Sequence, residues 1–111
     1  MDKDALERVE IDYENAIRRF AGNETLYEKY LYRFKDDEHL SYAISAFEKK
    51  DYETVLKEIH TLKGVAGTLG MTRLYDACSA IVLAIRAGNT ADLGEMFDRL
   101  QTEYDTVIAI F

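Results

Sequence analysis

The chain has 111 residues, of which 14 are basic and 21 acidic, so its net charge of -7 would repel the phosphate backbone of a nucleic acid. Its 48% hydrophobic and 32% charged residues are typical of a globular protein, and no apolar run reaches the roughly 18 residues that cross a membrane. These values argue against DNA or RNA as a partner and against a membrane span, and they predict one soluble domain over residues 1–111. We expect this domain to be a monomer.

Helical signals dominate the N-terminal third of the chain. The sequence has no proline and little period-two alternation, so we predict an all-α fold. Asp4, with Glu7 three residues later, is predicted to cap a first helical segment, and Asp12 to restart it. A break at residues 21–23 precedes a second helix that Asn23 is expected to cap. The apolar positions of this second helix repeat at helical spacing: Leu26, Tyr27, Tyr30, Leu31 and Phe34.

The middle of the chain predicts two further helices. The third follows the apolar positions between residues 40 and 47, and the lysines at 49–50 suit the negative end of its dipole. Asp51 is predicted to cap the fourth helix. This helix is expected to end near Leu69, because Gly70 suits the left-handed conformation that closes many helices.

Two more helices are predicted in the C-terminal third. The fifth ends at residues 87–89, and its apolar seam consists of Leu74, Cys78, Ile81 and Ile85. Asn89 or Thr90 is expected to cap the last helix, which is predicted to reach the C-terminus. Four longer helices joined by tight turns predict an antiparallel four-helix bundle, with short additional N-terminal helices packed across one end.

The fourth helix has two distinct faces. At about 100° per residue, one apolar stripe faces the core. It consists of Tyr52, Val55, Ile59, Leu62, Ala66 and Leu69. His60 lies roughly 130° from the centre of that stripe, so we expect its side chain to be exposed.

The residues that follow His60 favour phosphoryl transfer at its ring. The unperturbed pKa of the histidine imidazole, about 6.5, leaves the ring mostly neutral and nucleophilic at cytosolic pH. Lys63, one turn on, would neutralise a dianionic group on the ring. Gly64 and Gly67 each cost about 1 kcal/mol of helix stability relative to alanine, and their missing side chains would let another protein's active site approach.

Other chemistry finds little support in the sequence. Glycines 64, 67 and 70 lie inside a helix, whereas a nucleotide-binding loop follows a strand. The acidic run 36–38 lacks calcium-loop spacing, and one cysteine with two histidines offers zinc too few ligands. His39 is expected near a helix start and solvated.

The N-terminus and the single cysteine predict where the protein is located. The acidic N-terminus does not resemble a signal peptide, and Cys78 is predicted to be a buried thiol. We therefore expect a cytoplasmic protein.

Each feature around His60 also has an ordinary explanation. A lone surface histidine or lysine usually has no role, and the glycines are compatible with a close helix crossing. The main alternative is therefore a helical adapter that binds through its surface, with His60 incidental. A histidine kinase dimerisation domain would need a long two-helix hairpin and an ATP-binding domain, which residues 1–111 lack.

The joint pattern resembles the signature of histidine-containing phosphotransfer (HPt) domains. The matching positions are His60, Thr61, Leu62, Lys63, Gly64, Ala66, Leu69, Gly70, Leu74 and Cys78. Residues 11–34 are similar, more loosely, to the segment that precedes this signature. The chain departs from the family pattern at Ile59, where alanine is common, at Thr68, where asparagine or serine is common, and at 81–82, where Leu-Glu is common.

The resemblance implies a phosphorelay intermediate with no kinase or ATPase activity of its own. His60 would accept a phosphoryl group from the phospho-aspartate of a response-regulator receiver domain and pass it to another receiver. The resemblance implies no cofactor or metal held by this protein itself, since Mg²⁺ is expected on the partner receiver. A hybrid histidine kinase is a further candidate partner.

The predicted site therefore has two parts. The transfer residues are His60, with Lys63 for phosphate electrostatics and Gly64 for partner access. Partner-binding roles are predicted for Leu56, Lys57 and Gly67.

Overall fold

Seven α-helices and one 3-10 turn form the protein in a computed structural model, which describes residues 2–111. In chain order the helices are α1 (Lys3–Arg8), α2 (Tyr13–Arg19), α3 (Glu24–Arg33), α4 (His39–Glu48), α5 (Tyr52–Leu69), α6 (Thr72–Arg86) and α7 (Leu93–Ile108). The 3-10 turn, Phe34–Asp36, follows α3 directly. No strand occurs among residues 2–111, where Ile11 and Met71 form an isolated antiparallel bridge. The all-α prediction is confirmed.

Short polar side chains begin several of the helices. Asp12, Asn23 and Asp51 each accept a hydrogen bond from the backbone amide three residues later, which confirms these predicted caps. The cap predicted for α1, Asp4, was wrong, because α1 starts two residues earlier than expected. Asp2 occupies the N-cap position and accepts from the amide of Asp4 at 2.9 Å.

Helices α4 to α7 pack together as the predicted four-helix core. Each helix packs against the next, and the connections 49–51, 70–71 and 87–92 turn the chain back so that neighbours run antiparallel. Phe47 of α4 stacks on Phe97 of α7 with ring centroids 4.7 Å apart, which closes the bundle. None of the helices in residues 2–111 combines the length and the apolar character that crossing a bilayer requires.

The start of α7 differs from the sequence prediction. Asn89 and Thr90 do not cap it, because Gly88 turns the chain with a φ of 72° and the Asn89 amide bonds back to the Ala84 carbonyl at 2.9 Å. Helix α7 therefore begins at Leu93 and ends at Ile108, short of the C-terminus.

Helix α5 carries the predicted core stripe at the centre of the bundle. Its buried residues are Val55, Ile59, Leu62, Ala66 and Leu69, and the predicted sixth member, Tyr52, is half-buried. The opposite face of α5 is left toward solvent. The stripe thus fixes which side chains of this helix another protein can reach.

The N-terminal helices pack across the end of α5 at Gly70. Gly70 adopts the predicted left-handed conformation, with a φ of 78°. Its carbonyl accepts a hydrogen bond from the amide of Asp12 at 2.7 Å, and the carbonyl of Leu69 accepts one from the buried hydroxyl of Tyr27 at 2.8 Å. Burial raises the pKa of Tyr27, which keeps this phenol protonated as a donor. Helices α2 and α3 are thereby anchored to α5.

Candidate functional site

His60 lies in the middle of α5 on its outer face, where its side chain is exposed as predicted. No residue within 2–111 makes a hydrogen bond or ion pair with its ring. An imidazole without a hydrogen-bond partner keeps the lone pair of its unprotonated nitrogen free. The ring of His60 therefore meets this requirement for a nucleophile.

Lys63 follows His60 by one turn, and its side chain is half-buried. The ammonium nitrogen lies 5.4 Å from the ring centroid of Tyr75 on α6, in a cation–π arrangement. This contact holds the positive charge at the edge of the His60 face. The sequence analysis missed Tyr75, because only the packing of α6 against α5 brings this ring under Lys63.

The two glycines of the outer face have different surroundings. A Cβ added to Gly64 would meet nothing within 4 Å, so this position is open to solvent. A Cβ on Gly67 would lie 3.2 Å from the ring of Tyr75. Gly67 therefore makes room for a residue of its own protein, whereas Gly64 leaves free space one turn beyond His60.

The remaining residues predicted to bind partners lie one turn before His60. Lys57 is exposed, and its carbonyl accepts a hydrogen bond from the Thr61 hydroxyl at 3.0 Å. Leu56 is half-buried and packs against the core. Lys57 thus belongs to the same solvent-facing surface as His60, while Leu56 lies at its margin.

A groove of about 720 Å³ runs beside this face, between α5 and the α3 region, and no sequence signal predicted it. We call it the α3–α5 groove. Its lining residues are Phe20, Tyr30, Arg33, Phe34, Asp37, Thr61, Gly64, Val65, Thr68 and Leu69. Thr61 is next to His60 on α5 and Gly64 lies one turn beyond it, so the groove reaches the His60 face.

A smaller and more polar groove, of about 420 Å³, lies on the other side of Gly64 between α5 and α2. Gly64 and Thr68 line both grooves. The hydroxyl of Thr68 donates to the Gly64 carbonyl at 2.9 Å, so this side chain bonds to its own helix. The outer face of α5 is thus a low ridge between two depressions.

His39, the second histidine, has a different environment from the one predicted. It is the first residue of α4, as expected near a helix start, but it is half-buried rather than solvated. Its Nδ1 lies 2.7 Å from a carboxylate oxygen of Glu58 on α5. Its backbone amide donates to Asp37 at 2.9 Å. The sequence prediction failed because Glu58 comes close only when α4 packs on α5.

Two other classes of site find no support in the described residues. Cys78 is buried as predicted, and burial raises the pKa of its thiol to about 12, so it is not a nucleophile at neutral pH. Within residues 2–111, no group of three or more His, Cys, Asp or Glu side chains is arranged to hold a metal ion.

Comparison with known protein families matches residues 34–110, more than half of the chain, to the Hpt domain. No curated protein and no solved structure matches the chain. The family match contains the whole of α5 and both histidines, but it begins only at the end of α3. Most of residues 11–34, which resemble the family more loosely, lie outside it.

Proposed function

The chain belongs to the Hpt domain family, and from that premise we propose that His60 carries the phosphoryl group in a phosphorelay. Membership of the family implies a histidine phosphotransfer role, and the chain has two histidines. The observation that carries the choice is the state of the two rings. His60 is exposed and has no hydrogen-bond or ion-pair partner among residues 2–111, whereas His39 is half-buried and bonded to Glu58.

The proposed step is an in-line displacement at phosphorus. The unprotonated ring nitrogen of His60 attacks the phosphorus of the aspartyl phosphate on a receiver domain. Mg²⁺ held by that receiver would offset the negative charge of the phosphoryl oxygens. As the nitrogen–phosphorus bond forms, the phosphorus–oxygen bond to the aspartate breaks and its electron pair returns to the carboxylate. The reverse step on a second receiver passes the group on. A hybrid histidine kinase that carries such a receiver is a further candidate donor.

Electrostatics and positioning supply most of the catalysis in transfers of this kind. Lys63 provides positive charge one turn from His60, and its contact with Tyr75 limits where the ammonium moves. The open space at Gly64 allows the partner's aspartate to reach the ring. Lys57, which is exposed, contributes a second cation on the same helix.

Label transfer tests this proposal directly. Wild type, His60→Gln and His39→Gln are each mixed with a purified receiver domain that carries radiolabelled phosphate on its aspartate. We expect acid-labile label on wild type and on the matched control His39→Gln, and none on His60→Gln. Because His60 is exposed, its replacement should change the free energy of unfolding by no more than about 0.5 kcal/mol.

Two results would overturn the proposal. Label on His60→Gln would place the acceptor elsewhere. Failure of wild type to take label from any receiver domain of the same genome would favour the adapter alternative, in which the protein binds through its surface and His60 is incidental.

A further inference from the structure

The ammonium of Lys63 is held by a neutral ring and not by a carboxylate. Its nitrogen lies 5.4 Å from the ring centroid of Tyr75, and no carboxylate within residues 2–111 forms an ion pair with it. A carboxylate would also fix the position of the ammonium, but it would offset the positive charge. The face of an aromatic ring attracts a cation through its quadrupole and has no net charge. The charge of Lys63 therefore remains available to a phosphoryl group.

Arg73, at the start of α6, shows the contrasting arrangement. Its Nε lies 3.2 Å from a carboxylate oxygen of buried Glu103 on α7, and 3.5 Å from one of Glu10 in the connection between α1 and α2. These two carboxylates offset the charge of the guanidinium and tie α6 to its neighbours. Arg73 thus holds segments of the protein together, whereas the charge of Lys63 is left for a molecule outside it.

Gly67 makes the position of the Tyr75 ring possible. It follows Lys63 by one turn on α5, and a Cβ added there would lie 3.2 and 3.3 Å from two carbons of the ring. Any side chain at position 67 would therefore press the ring away from α5. Tyr75 is 38% exposed and its hydroxyl makes no hydrogen bond within residues 2–111, so the contact with Lys63 depends on the ring and not on the hydroxyl.

We propose that Tyr75 is a positioning residue for phosphoryl transfer, acting through Lys63, and that Gly67 seats its ring. This inference rests on the proposed function. A lysine side chain has many rotamers, so without the ring its ammonium would spend more time away from the phosphoryl group at His60. A cation–π contact at an exposed site raises the population of the held position about two- to fivefold. Gly67 then contributes by admitting Tyr75, and not by touching the partner.

A residue that acts only through Lys63 has two signatures. Its removal slows transfer by no more than removal of the Lys63 charge does, and it has no effect once that charge is absent. A direct contact between Tyr75 and the receiver would instead slow transfer whether or not the charge is present. A double-mutant cycle on these two residues therefore separates positioning from partner binding.

The experiment measures receiver-driven transfer. A purified receiver domain is phosphorylated with radiolabelled acetyl phosphate in Mg²⁺, and the rate at which label reaches the protein is followed. Tyr75→Leu and Tyr75→Phe are each made in the wild-type background and in Lys63→Met, which removes the charge but keeps a long side chain. Tyr42→Leu, which replaces an exposed tyrosine of α4, is the matched control.

The ring and the charge should depend on each other. We expect Tyr75→Leu to slow transfer about two- to fivefold in the wild-type background, and not to change the rate in Lys63→Met. Tyr75→Phe keeps the ring and should transfer at close to the wild-type rate, as should Tyr42→Leu. Gly67→Ala displaces the ring without removing it, and should slow transfer only where Lys63 is present. It supplies the same test if Tyr75→Leu unfolds.

NMR spectra test the contact itself without any phosphate. The ring current of Tyr75 should shift the protons on Cε of Lys63 upfield in wild type and in Tyr75→Phe. In Tyr75→Leu these protons should return toward the shifts of a free lysine. Identical shifts in wild type and Tyr75→Leu would show that the ring does not hold the ammonium in solution, and would overturn the inference.

Three results of the transfer assay would also overturn it. A fall for Tyr75→Leu that is equal in both backgrounds would assign Tyr75 to direct contact with the receiver. Wild-type rates for both Tyr75→Leu and Gly67→Ala would mean that the ring does not position the charge. A fall for Tyr75→Phe as large as for Tyr75→Leu would assign the effect to the hydroxyl. In each case His60 would still be the acceptor, whereas label on His60→Gln would contradict the proposed function.

Discussion

The outer face of α5 and the C-terminal end of the same helix are constrained in opposite ways. No residue within 2–111 makes a hydrogen bond or ion pair with the exposed ring of His60, and a Cβ added to Gly64 would meet nothing within 4 Å. At the end of the helix, the carbonyls of Leu69 and Gly70 accept hydrogen bonds from Tyr27 and Asp12, and no space remains for a Cβ on Gly70. One helix thus combines a surface kept open for a partner with an anchor for the N-terminal helices. Substitutions on the outer face should therefore change the rate of phosphoryl transfer, whereas substitutions at the anchor should change the stability of the fold.

The largest effect is expected at the anchor, in Gly70→Ala. A Cβ there would lie 2.6 Å from the carbonyl oxygen of Asp12, in a backbone conformation with a φ of 78° that alanine rarely adopts. Strain and overlap together should lower the free energy of unfolding by about 3 kcal/mol or more. The matched control is Gly88→Ala, whose φ is 72° but whose added Cβ meets nothing within 4 Å. Its loss, measured by urea melts, should be only about 1 kcal/mol.

The second prediction also concerns the anchor. Tyr27→Phe leaves the ring in place but removes the hydroxyl that donates to the Leu69 carbonyl in the interior. The buried carbonyl loses its side-chain donor, so stability should fall by about 1–2 kcal/mol. Tyr42→Phe is the control, because its exposed hydroxyl bonds Glu38 at the surface and should matter by less than about 0.5 kcal/mol. Equal losses would mean that the Tyr27 bond does not hold the helices together.

On the open face, charge should influence the transfer rate and leave the fold intact. Lys63→Glu places a negative charge where the phosphoryl group arrives, and should slow receiver-driven transfer by up to about tenfold, equivalent to about 1.4 kcal/mol. Lys63→Ala should have a smaller effect. The loss should shrink as salt rises, because the site is exposed to screening ions. The control Lys50→Glu, in the turn between α4 and α5, should transfer at the wild-type rate. Wild-type rates for both Lys63 variants would exclude this side chain from the mechanism.

The smallest expected change in stability distinguishes the two glycines of the outer face. Gly64→Ala should stabilise the protein by up to about 1 kcal/mol, since the position is helical and open. Gly67→Ala should gain less, because the ring of Tyr75 must shift to admit the Cβ. Thermal melts measure both values.

Substitutions at Gly64 should also report on how closely a partner can approach His60. Transfer should fall in Gly64→Ala despite its higher stability, and Gly64→Leu should largely block it. A Gly64→Leu protein that transfers at the wild-type rate would show that partners approach His60 from another direction.

The sequence predicted the parts of the molecule that depend on local chemistry. The caps at Asp12, Asn23 and Asp51 follow from side chains that bond a nearby amide, and the end of α5 follows from the conformational freedom of Gly70. Exposure of His60 follows from the angle between its position and the core stripe of α5. None of these features requires knowledge of where a distant segment lies.

The features of the candidate site that the sequence did not predict depend on how helices pack. Glu58 bonds His39 across α4 and α5, and Tyr75 approaches Lys63 and Gly67 across α5 and α6. The α3–α5 groove exists only because the N-terminal helices are anchored at Gly70. Helical periodicity assigns each residue to a face of its own helix, but it does not state which neighbour covers that face.

The anchor at Gly70 also determines when the groove forms. The Tyr27–Leu69 bond joins residues 42 positions apart, whereas α4, α5 and α6 meet across short turns. Closing the longer loop costs more chain entropy, so the bundle is expected to assemble first and the N-terminal helices to dock onto it late. The same order in reverse makes these helices the first to detach from the native protein, with faster amide exchange at Asp12 than in the bundle core. Each such opening removes the side of the α3–α5 groove that Phe20, Tyr30 and Arg33 line, while His60 stays exposed on an intact α5.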